Sequence, residues 1–216
     1  MKINDPRYIV VEGPIGVGKT SLAQRLAVSF GSELLLEGPE ENPFLDRFYE
    51  NPKAAALPTQ LFFLTQRVRQ MQELRQGDMF NPVQVADFLI EKDRLFAELT
   101  LDENELRLYD QIYTQMTIEA PRPDLVIYLQ APVDVLIGRI GKRARDYERH
   151  IEADYLQRLS DAYSRFFLDY HTTPLLIVNA ADIDFVNKDN DYNMLLEQIR
   201  RMGGGRHYFN PLPLEF

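Results

Sequence analysis

The sequence contains no cysteine, few basic residues relative to acidic ones, and no long apolar run. Without cysteine, disulfides and thiolate metal sites are excluded. A net charge of -9 disfavours a protein that grips DNA or RNA, because a basic surface is needed to neutralise phosphates. No apolar run approaches the roughly 18 residues that cross a bilayer, and residues 1–7 do not resemble a signal peptide. We therefore expect a cytoplasmic protein that binds neither a membrane nor a nucleic acid polymer.

Short apolar segments alternate with helical patterns along the chain, which predicts a parallel sheet with helices on both faces. The predicted strands span residues 8–12, 34–36, 83–87, 125–129 and 175–178. The predicted helices span residues 18–30, 58–76, 91–99, 102–119, 133–141, 153–170 and 192–202. The 216 residues show no repeat and no linker, so we expect one domain over residues 1–216. Its tail, residues 203–216, begins with three glycines and reads as a flexible hinge before an aromatic anchor.

A phosphate-binding loop follows the first predicted strand. It matches the pattern G-x-x-x-x-G-K-[ST] in full and consists of Gly13, Pro14, Ile15, Gly16, Val17, Gly18, Lys19 and Thr20. The glycines let successive backbone N–H groups point at phosphates, Lys19 adds a positive charge near the β- and γ-phosphates, and Thr20 offers a hydroxyl to Mg²⁺. A strand before the loop and a helix after it complete the required context. The motif indicates nucleotide binding and leaves hydrolase, kinase and nucleotide-driven switch open.

Further groups of residues follow this loop in a fixed order. They are Leu36-Glu37 with Asn42-Pro43-Phe44-Leu45 and Phe48-Tyr49-Glu50, then Gln60 and Arg67, then Arg139-Ile140-Gly141-Lys142-Arg143-Ala144-Arg145-Asp146-Tyr147-Glu148, and last Asp184-Phe185. This order resembles the deoxynucleoside kinase family, particularly its bacterial deoxyadenosine/deoxyguanosine kinase branch. The resemblance extends from residue 8 to about residue 186. It implies a three-layer P-loop kinase fold with a five-stranded parallel sheet, an arginine-rich lid at about 139–150, Mg-ATP as cofactor and a homodimer.

The resemblance also implies which residues hold the substrate. Glu37 matches the general base for the substrate 5′-hydroxyl, and it ends a predicted strand, where ligands of open parallel sheets gather. Tyr49 and Glu148 match the residues that bind the sugar 3′-hydroxyl. Gln60 and Arg67 share one helical face and match the residues that read the base. A solvated helix face and a solvated glutamate are the alternative interpretations.

The resemblance assigns the donor side as well. Arg139, Arg143 and Arg145 match the lid arginines that close over the triphosphate and stabilise charge on the transferring phosphoryl group. Asp184 and Phe185 match the segment that packs near the adenine of ATP. For the arginines the alternative is a solvated charge run, and for Phe185 it is a place in the core.

The sequence departs from the family pattern after the third predicted strand. The family commonly carries Glu-Arg-Ser or Asp-Arg-Ser there, and this chain reads Ala86-Asp87-Phe88, without the arginine. Asp87 matches the acidic residue that sits by Mg²⁺, an ion that prefers oxygen ligands. Lys92 could replace the missing charge, although as a compact ammonium rather than a planar fork.

These features together predict in-line phosphoryl transfer from Mg-ATP to the 5′-hydroxyl of a deoxynucleoside. Glu37 would take the proton, while Lys19, Arg139 and Arg143 would balance the developing negative charge. The branch resemblance favours a purine substrate. Two alternatives stay open, another P-loop kinase for a small molecule or a nucleoside monophosphate, and a nucleotide-binding regulatory module without turnover.

Overall fold

A parallel β-sheet forms the centre of the molecule. The computed structural model describes residues 6–76, 83–117 and 120–210. The strands within them are β1 (Tyr8–Glu12), β2 (Glu33–Leu35), β3 (Gln84–Ala86), β4 (Leu125–Gln130), β5 (Leu175–Asn179) and β6 (Arg206–Phe209). They lie side by side in the order β2-β3-β1-β4-β5-β6, and every neighbouring pair is parallel. The carboxyl ends of all these strands therefore meet at one edge of the sheet.

Helices cover both faces of this sheet. They are α1 (Lys19–Phe30), α2 (Leu45–Glu50), α3 (Pro52–Gln76), α4 (Lys92–Thr100), α5 (Glu103–Thr117), α6 (Val133–Arg143), α7 (Ala153–Leu168) and α8 (Asp189–Arg201). One apolar core lies between the sheet and α1 and α8, and a second lies between the sheet and α3, α4, α5 and α7. These layers confirm the predicted three-layer α/β fold. In the part of the chain that the structure describes, no helix is both long and apolar enough to span a membrane.

The strand β1 shows why the sheet lies in the middle. All five of its residues are buried. Ile9 and Val11 belong to the core under α1 and α8, while Tyr8 and Val10 belong to the core on the other face. A parallel strand that is covered on both faces has to be apolar at consecutive positions, which is the pattern that the sequence displays. The glutamate that ends this strand is the exception, and it belongs to the site.

The sheet has one strand more than the five that the sequence predicts. β6 pairs in parallel with β5, from Leu175 opposite Arg206 to Val178 opposite Phe209. β6 consists of residues 206–209, within the segment predicted to be an aromatic anchor after the glycine hinge, so the predicted number of strands is wrong. The sequence pattern does not reveal this strand, because it is short, half-buried and at the sheet edge, where its residues need not be apolar. The rest of the predicted tail, 211–216, lies outside the described residues.

The helix α3 begins six residues before the predicted start. A proline is favoured in the first turn of a helix, which is why the sequence suggests a start at Pro58. The structure starts the helix at Pro52 and carries it through Pro58. Ala55 and Ala56 are fully buried in a small core with Phe48 of α2, a helix that the sequence analysis did not predict. Packing of this added turn outweighs the hydrogen bond that an internal proline removes.

Candidate active site

The loop between β1 and α1 is shaped by glycines. Gly13 has a φ of 149°, and a Cβ built there would lie 2.4 Å from the carbonyl oxygen of Leu129. Gly16 has a φ of 84°, and its Cβ would lie 2.9 Å from the carbonyl oxygen of Leu136. Side chains at either position would clash with the backbone of β4 or α6. The loop is thereby curled tightly in front of the first turn of α1, where backbone N–H groups bind anions.

Lys19, the first residue of α1, reaches back over this loop. Its ammonium donates a hydrogen bond to the carbonyl oxygen of Gly13 at 2.8 Å. Burial, and to a smaller degree the positive charge of Lys92, lower the pKa of Lys19 to about 8. The lysine is thus held where phosphates bound by the loop would meet its charge.

Asp87 connects the loop to the second strand of the predicted site. The hydroxyl of Thr20 donates to Asp87 Oδ2 at 2.5 Å, and the backbone N–H of Glu37 donates to Asp87 Oδ1 at 2.8 Å. This is possible because β3, which ends just before Asp87, lies between β1 and β2. Within the described ranges there is no group of three or more histidine, aspartate or glutamate side chains that could hold a metal. A cation here would be held by the Thr20 hydroxyl and the Asp87 carboxylate, and completed by water and phosphate oxygens, as Mg²⁺ prefers.

Glu37 faces the loop across a cleft. Its carboxylate forms ion pairs with Arg67 and with Lys92, the latter at 3.0 Å. The side chain is 17% exposed, so it opens to the cleft while its partners are buried. Glu37 and Lys19 both line one cavity of about 250 Å³, which we call the first cavity. The carboxylate predicted as base and the lysine predicted to meet the phosphates therefore share one pocket.

Buried charges lie behind Glu37. Arg67 forms a second ion pair with Asp93, which is fully buried. Burial lowers the pKa of Arg67 to about 10. The ammonium of Lys92 also lies 3.5 Å from a carboxylate oxygen of Glu12. The two cations are each shared between two carboxylates, which is how charges are tolerated away from water.

Two of these carboxylates, Glu12 and Asp93, escaped the sequence analysis. Glu12 is fully buried and accepts hydrogen bonds from the N–H of Gly13 at 2.8 Å, the N–H of Leu89 at 2.8 Å and the hydroxyl of Tyr163 at 2.9 Å. Its signal in the sequence was a charged residue at the end of a buried apolar strand, directly before the loop. No spacing pattern singles out Asp93 in the sequence.

Gln60 and Arg67 border the same cavity, beside aromatic rings. The amide of Gln60 is buried and donates to the Thr100 hydroxyl at 3.3 Å. The rings of Phe63 and Phe96 line the cavity too, and the Arg67 guanidinium lies 5.1 Å from the centre of the Phe63 ring. A wall of flat apolar surfaces with one amide and one guanidinium suits the face and the edge of a nucleobase.

Tyr49 and Glu148 lie at another wall of the first cavity. Tyr49 packs edge-on against Phe48 and Tyr155, with ring centres 5.2 and 6.4 Å away. Burial raises the pKa of Tyr49 well above its usual value, so the phenol stays a neutral donor. Glu148 is buried and accepts a hydrogen bond from Nε of Arg143 at 3.0 Å, as well as a second one from the same guanidinium. A donor and an acceptor thus face the same space.

A second cavity of about 440 Å³ lies on the other side of the loop. It is lined by residues that include Val17, Arg139, Asp184 and Phe185. Gly16 and Arg143 border both cavities, so the two spaces meet at the loop. This arrangement provides a place for a donor base on one side and an acceptor on the other.

The predicted donor residues differ in how they meet this second cavity. The guanidinium of Arg139 donates to the carbonyl oxygens of Val17 at 3.1 Å and Ala180 at 2.7 Å, and burial lowers its pKa. Its guanidinium is therefore engaged by the backbone of the loop and of residue 180, while the residue still lines the second cavity. Phe185 is 2% exposed and packs in the core under α1, so the alternative of a core position describes most of its surface.

The lid region is helical in its first half. Arg139 and Arg143 belong to the last turns of α6, which ends at Arg143 and is capped by Ala144 with a φ of 52°. A short 3₁₀ turn, Asp146–Glu148, follows. Between them, Arg145 borders the first cavity, donates to the hydroxyl of Tyr147 and lies 3.9 Å from Glu40. The three arginine side chains thus contact different partners: backbone carbonyls for Arg139, Glu148 for Arg143, and Tyr147 for Arg145.

The predicted site residues therefore separate into two groups. Those that line the first cavity are Ile15, Gly16, Lys19, Thr20, Glu37, Tyr49, Gln60, Arg67, Asp87, Lys92, Arg143, Arg145 and Glu148. Val17, Gly18, Arg139, Asp184 and Phe185 line the second cavity instead, Gly16 and Arg143 border both, and Gly13 and Pro14 are not among the described residues that line either one. The roles given to these residues stay predictions, but the proximity on which those roles depend is present.

A family model for deoxynucleoside kinases matches residues 9–202, nearly the whole chain. The chain belongs to the deoxynucleoside kinase family. It is a phosphotransferase that acts on a small-molecule deoxynucleoside, and its membership implies ATP as the phosphate donor. The family and the P-loop kinase fold that the sequence analysis inferred from the resemblance are thereby confirmed.

Several relatives match over most of their length. A deoxyguanosine kinase of Bacillus subtilis is 34% identical over 209 residues, covering 93% of this chain and 99% of that protein. A deoxyadenosine kinase of Lactobacillus acidophilus is 30% identical, covering 89% of this chain and 94% of that protein. Among solved structures, deoxyadenosine kinase from M. mycoides with bound dATP has a TM-score of 0.78 at 24% identity, covering 89% of this chain and 98% of that one. That likeness concerns the fold.

Proposed function

We propose that this protein transfers the γ-phosphoryl group of Mg-ATP to the 5′-hydroxyl of a purine deoxynucleoside and forms the 5′-monophosphate. One observation carries the proposal: Glu37 and Lys19 line the same cavity, with Glu37 held opposite the phosphate-binding loop by Lys92 and Arg67. The purine preference is supported by the relatives named deoxyguanosine kinase and deoxyadenosine kinase. A further relative, at 28% identity, is named deoxyadenosine/deoxycytidine kinase, so the substrate panel must include pyrimidines.

In this proposal Glu37 acts as the general base. Its carboxylate takes the proton of the 5′-hydroxyl while the hydroxyl oxygen forms a bond to the γ-phosphorus. The bond from that phosphorus to the bridging oxygen breaks, and the electron pair leaves with ADP. Lys19 and Arg143 border the space where the phosphates would lie and balance the charge that spreads over the transferring group. Positioning and electrostatics supply most of the rate.

Thr20 and Asp87 are the residues that would hold Mg²⁺. Thr20 lies in the first turn of α1 and Asp87 directly follows β3, and their oxygens are 2.5 Å apart, which fits the oxygen ligands that this ion prefers. When bound, Mg²⁺ neutralises charge on the β- and γ-phosphates. Asp87 has a second task, because its other oxygen accepts the backbone N–H of Glu37 and so keeps the base near the phosphates.

The remaining acceptor residues fit the parts of a deoxynucleoside. Tyr49 supplies a neutral phenol donor and Glu148 a buried carboxylate acceptor, a complementary pair for the 3′-hydroxyl. Gln60 and Arg67 supply an amide and a guanidinium for the base edge, next to the ring of Phe63. Because the amide carries both a donor and an acceptor, it can form a hydrogen bond with either an acceptor or a donor on the edge of a purine.

The second cavity is the proposed place for the donor nucleoside. Asp184 and Phe185 would lie beside the adenine, with Arg139 supporting the loop through its backbone carbonyls. Arg145 would join Arg143 at the phosphates when the segment after α6 closes. A homodimer stays part of the proposal through the family resemblance alone.

Charge argues for a nucleoside rather than a nucleoside monophosphate as acceptor. Among the described residues at this end of the first cavity, Arg67 is paired with Glu37 and Asp93, and Lys92 is paired with Glu37 and Glu12. These cations are already balanced by carboxylates, so an acceptor phosphate would meet little free positive charge.

A substrate panel tests the function. The purified protein is incubated with Mg-ATP and each of the four deoxynucleosides or their monophosphates, and the products are separated by chromatography. We expect monophosphates from deoxyguanosine or deoxyadenosine at the highest kcat/KM. No monophosphate from any of the four would remove the proposal, and ATP binding without any product would favour a regulatory module.

Glu37→Gln tests the base. The change keeps the size of the side chain and removes its basicity, so kcat should fall by about 10²–10⁴-fold. Binding of ATP, measured by calorimetry, should change little because Glu37 lies across the cleft from the loop. Glu50→Gln is the matched control, since Glu50 is exposed at the end of α2. A Glu37→Gln variant with the turnover of the control would exclude this residue as the base.

A further inference from the structure

Lys92 is a buried lysine between two carboxylates. It begins α4, is 1% exposed, and its ammonium lies 3.0 Å from Glu37 and 3.5 Å from Glu12. Lysine is seldom fully buried unless its charge is balanced, because the ammonium loses its hydration. The two glutamates supply that balance from two different strand ends. Lys92 therefore bridges the start of the phosphate-binding loop and the carboxylate proposed as the base.

Glu12 has no contact of its own with the reacting groups. It is fully buried and does not belong to the described residues that line the first cavity. Its hydrogen bonds go to Gly13, Leu89 and Tyr163, so its position is fixed from three sides. The one cation that joins it to the cleft is Lys92, as far as the described residues show. Any effect of Glu12 on the reaction has to pass through that ammonium or through the loop.

The other cation beside Glu37 is already shared. Arg67 pairs with Glu37 and also with Asp93, which has no exposed surface. The negative charge of Asp93 offsets much of the electrostatic attraction that Arg67 exerts on other anions, because the pair lies in a region of low dielectric. Lys92 therefore supplies much of the net electrostatic attraction that holds the Glu37 carboxylate in the cleft.

We propose that Lys92, held in place by Glu12, is a positioning residue for phosphoryl transfer, which orients the Glu37 carboxylate towards the 5′-hydroxyl. The inference rests on the proposed function, because Glu37 matters here as the base. It assigns to Glu12 a role in the same reaction, exerted through Lys92. Neither residue has to touch the substrate.

The proposal predicts a pH dependence. Burial lowers the pKa of Lys92 to about 8, against the opposing effect of Glu12. The charged and titratable groups packed around it are Glu12 of β1, Tyr163 of α7, Lys19 of α1, Glu37 after β2, Arg67 of α3 and Asp87 after β3. When Lys92 loses its proton near pH 8, Glu37 loses a cation and its orientation. We therefore expect kcat to fall above about pH 8.

Variants of Lys92 test this at saturating Mg-ATP, where phosphates keep Lys19 charged. Lys92→Met should lower kcat by about 10- to 100-fold, because a small misplacement of the base costs about that much. Lys92→Arg should keep most of the activity at pH 7 and lose the fall above pH 8, because arginine stays charged. Lys53→Met, an exposed lysine of α3, is the control and should behave as the wild type. Thermal unfolding verifies that each variant is folded.

A second measurement does not depend on activity, and it uses the folded Lys92→Arg variant only to assign a resonance. In protein labelled with ¹³C at the lysine ε-carbons, the resonance that Lys92→Arg removes is titrated by NMR. Glu12→Gln should lower the pKa of Lys92 below the wild-type value, because Glu12 raises it more than Asp87 does. An unchanged pKa would overturn the link between Glu12 and Lys92.

The outcomes separate the two proposals. An active wild type together with a folded Lys92→Met variant of full kcat overturns the positioning role and leaves the proposed function intact. A Lys92→Arg variant that still loses activity above pH 8 also overturns it. A wild type that phosphorylates no deoxynucleoside overturns the proposed function, and the positioning role with it.

Discussion

Replacing Asp87 by asparagine and by alanine should separate its two tasks, holding Glu37 and binding Mg²⁺. Its Oδ1 accepts the backbone N–H of Glu37, and its Oδ2 accepts the hydroxyl of Thr20. Asparagine can keep the bond to Glu37 through its carbonyl oxygen, while the Thr20 hydroxyl turns to accept from the amide. Alanine removes both bonds and leaves a backbone donor without a partner.

The expected magnitudes follow from these contacts. Asp87 is 3% exposed, so Asp87→Ala should lower the free energy of unfolding by about 1–3 kcal/mol, the cost of an unpaired buried polar group. Asp87→Asn should lower it by less than about 1 kcal/mol. The asparagine variant nevertheless loses the negative charge, so its half-saturating Mg²⁺ concentration should rise about 10- to 100-fold, as for other groups around a bound ion.

Two assays check this pair of variants. Urea denaturation gives the free energies of unfolding, and phosphorylation at saturating ATP and varied Mg²⁺ gives the half-saturating concentration. Asp154→Asn, an exposed aspartate of α7, is the matched control for the loss of a carboxylate. The reasoning is refuted if Asp87→Asn needs no more Mg²⁺ than the control, or if Asp87→Ala is as stable as the wild type.

Two further predictions concern the sugar and the sixth strand. Tyr49→Phe should raise KM for the deoxynucleoside about tenfold, because it removes one hydrogen bond. It should leave KM for the 2′,3′-dideoxynucleoside, which lacks the 3′-hydroxyl, unchanged. Equal changes in KM for both substrates would exclude contact between Tyr49 and the 3′-hydroxyl. Arg206→Met should lower the free energy of unfolding by about 1–3 kcal/mol with unchanged kcat, because its guanidinium donates to the carbonyl oxygens of Phe167, Leu168 and Tyr170. An Arg206→Met variant of wild-type stability in urea would show that these bonds do not help to hold β6.

The phosphate-binding loop was predictable because its signal is local. Consecutive residues define it, and the strand and helix that flank it are strongly patterned. The structure adds the reasons for two glycines, since Gly13 and Gly16 lie against the carbonyl oxygens of β4 and α6. The same locality made the apolar strand β1 easy to identify.

The candidate substrate residues were named through resemblance to the family rather than through a pattern in the sequence. Glu37 has acidic neighbours in the sequence, and nothing in the spacing distinguishes it from them. Lys92 was predicted to replace the positive charge of the missing arginine. The structure agrees in one respect, because Lys92 forms a 3.0 Å ion pair with Glu37. Its consequence for the rate awaits the variants described above.

The placement of Arg139 and Phe185 shows the limit of motif reasoning. Both belong to segments that match the family, yet Arg139 donates to two backbone carbonyls and Phe185 packs in the core. A motif states which residue types are present. The direction of a side chain depends on the partners that the fold places around it.

The eight adjacent residues 13–20 were enough to predict a nucleotide-binding loop, because a loop of that kind needs no distant partner to form. The charge cluster around Lys92 is of the opposite kind. Glu12, Glu37, Arg67 and Asp93 are dispersed over some eighty positions, and they meet because β3 lies between β2 and β1, so that the ends of these strands adjoin. Whether a charged residue is solvated or buried against an opposite charge depends on that strand order, which no short stretch of chain encodes.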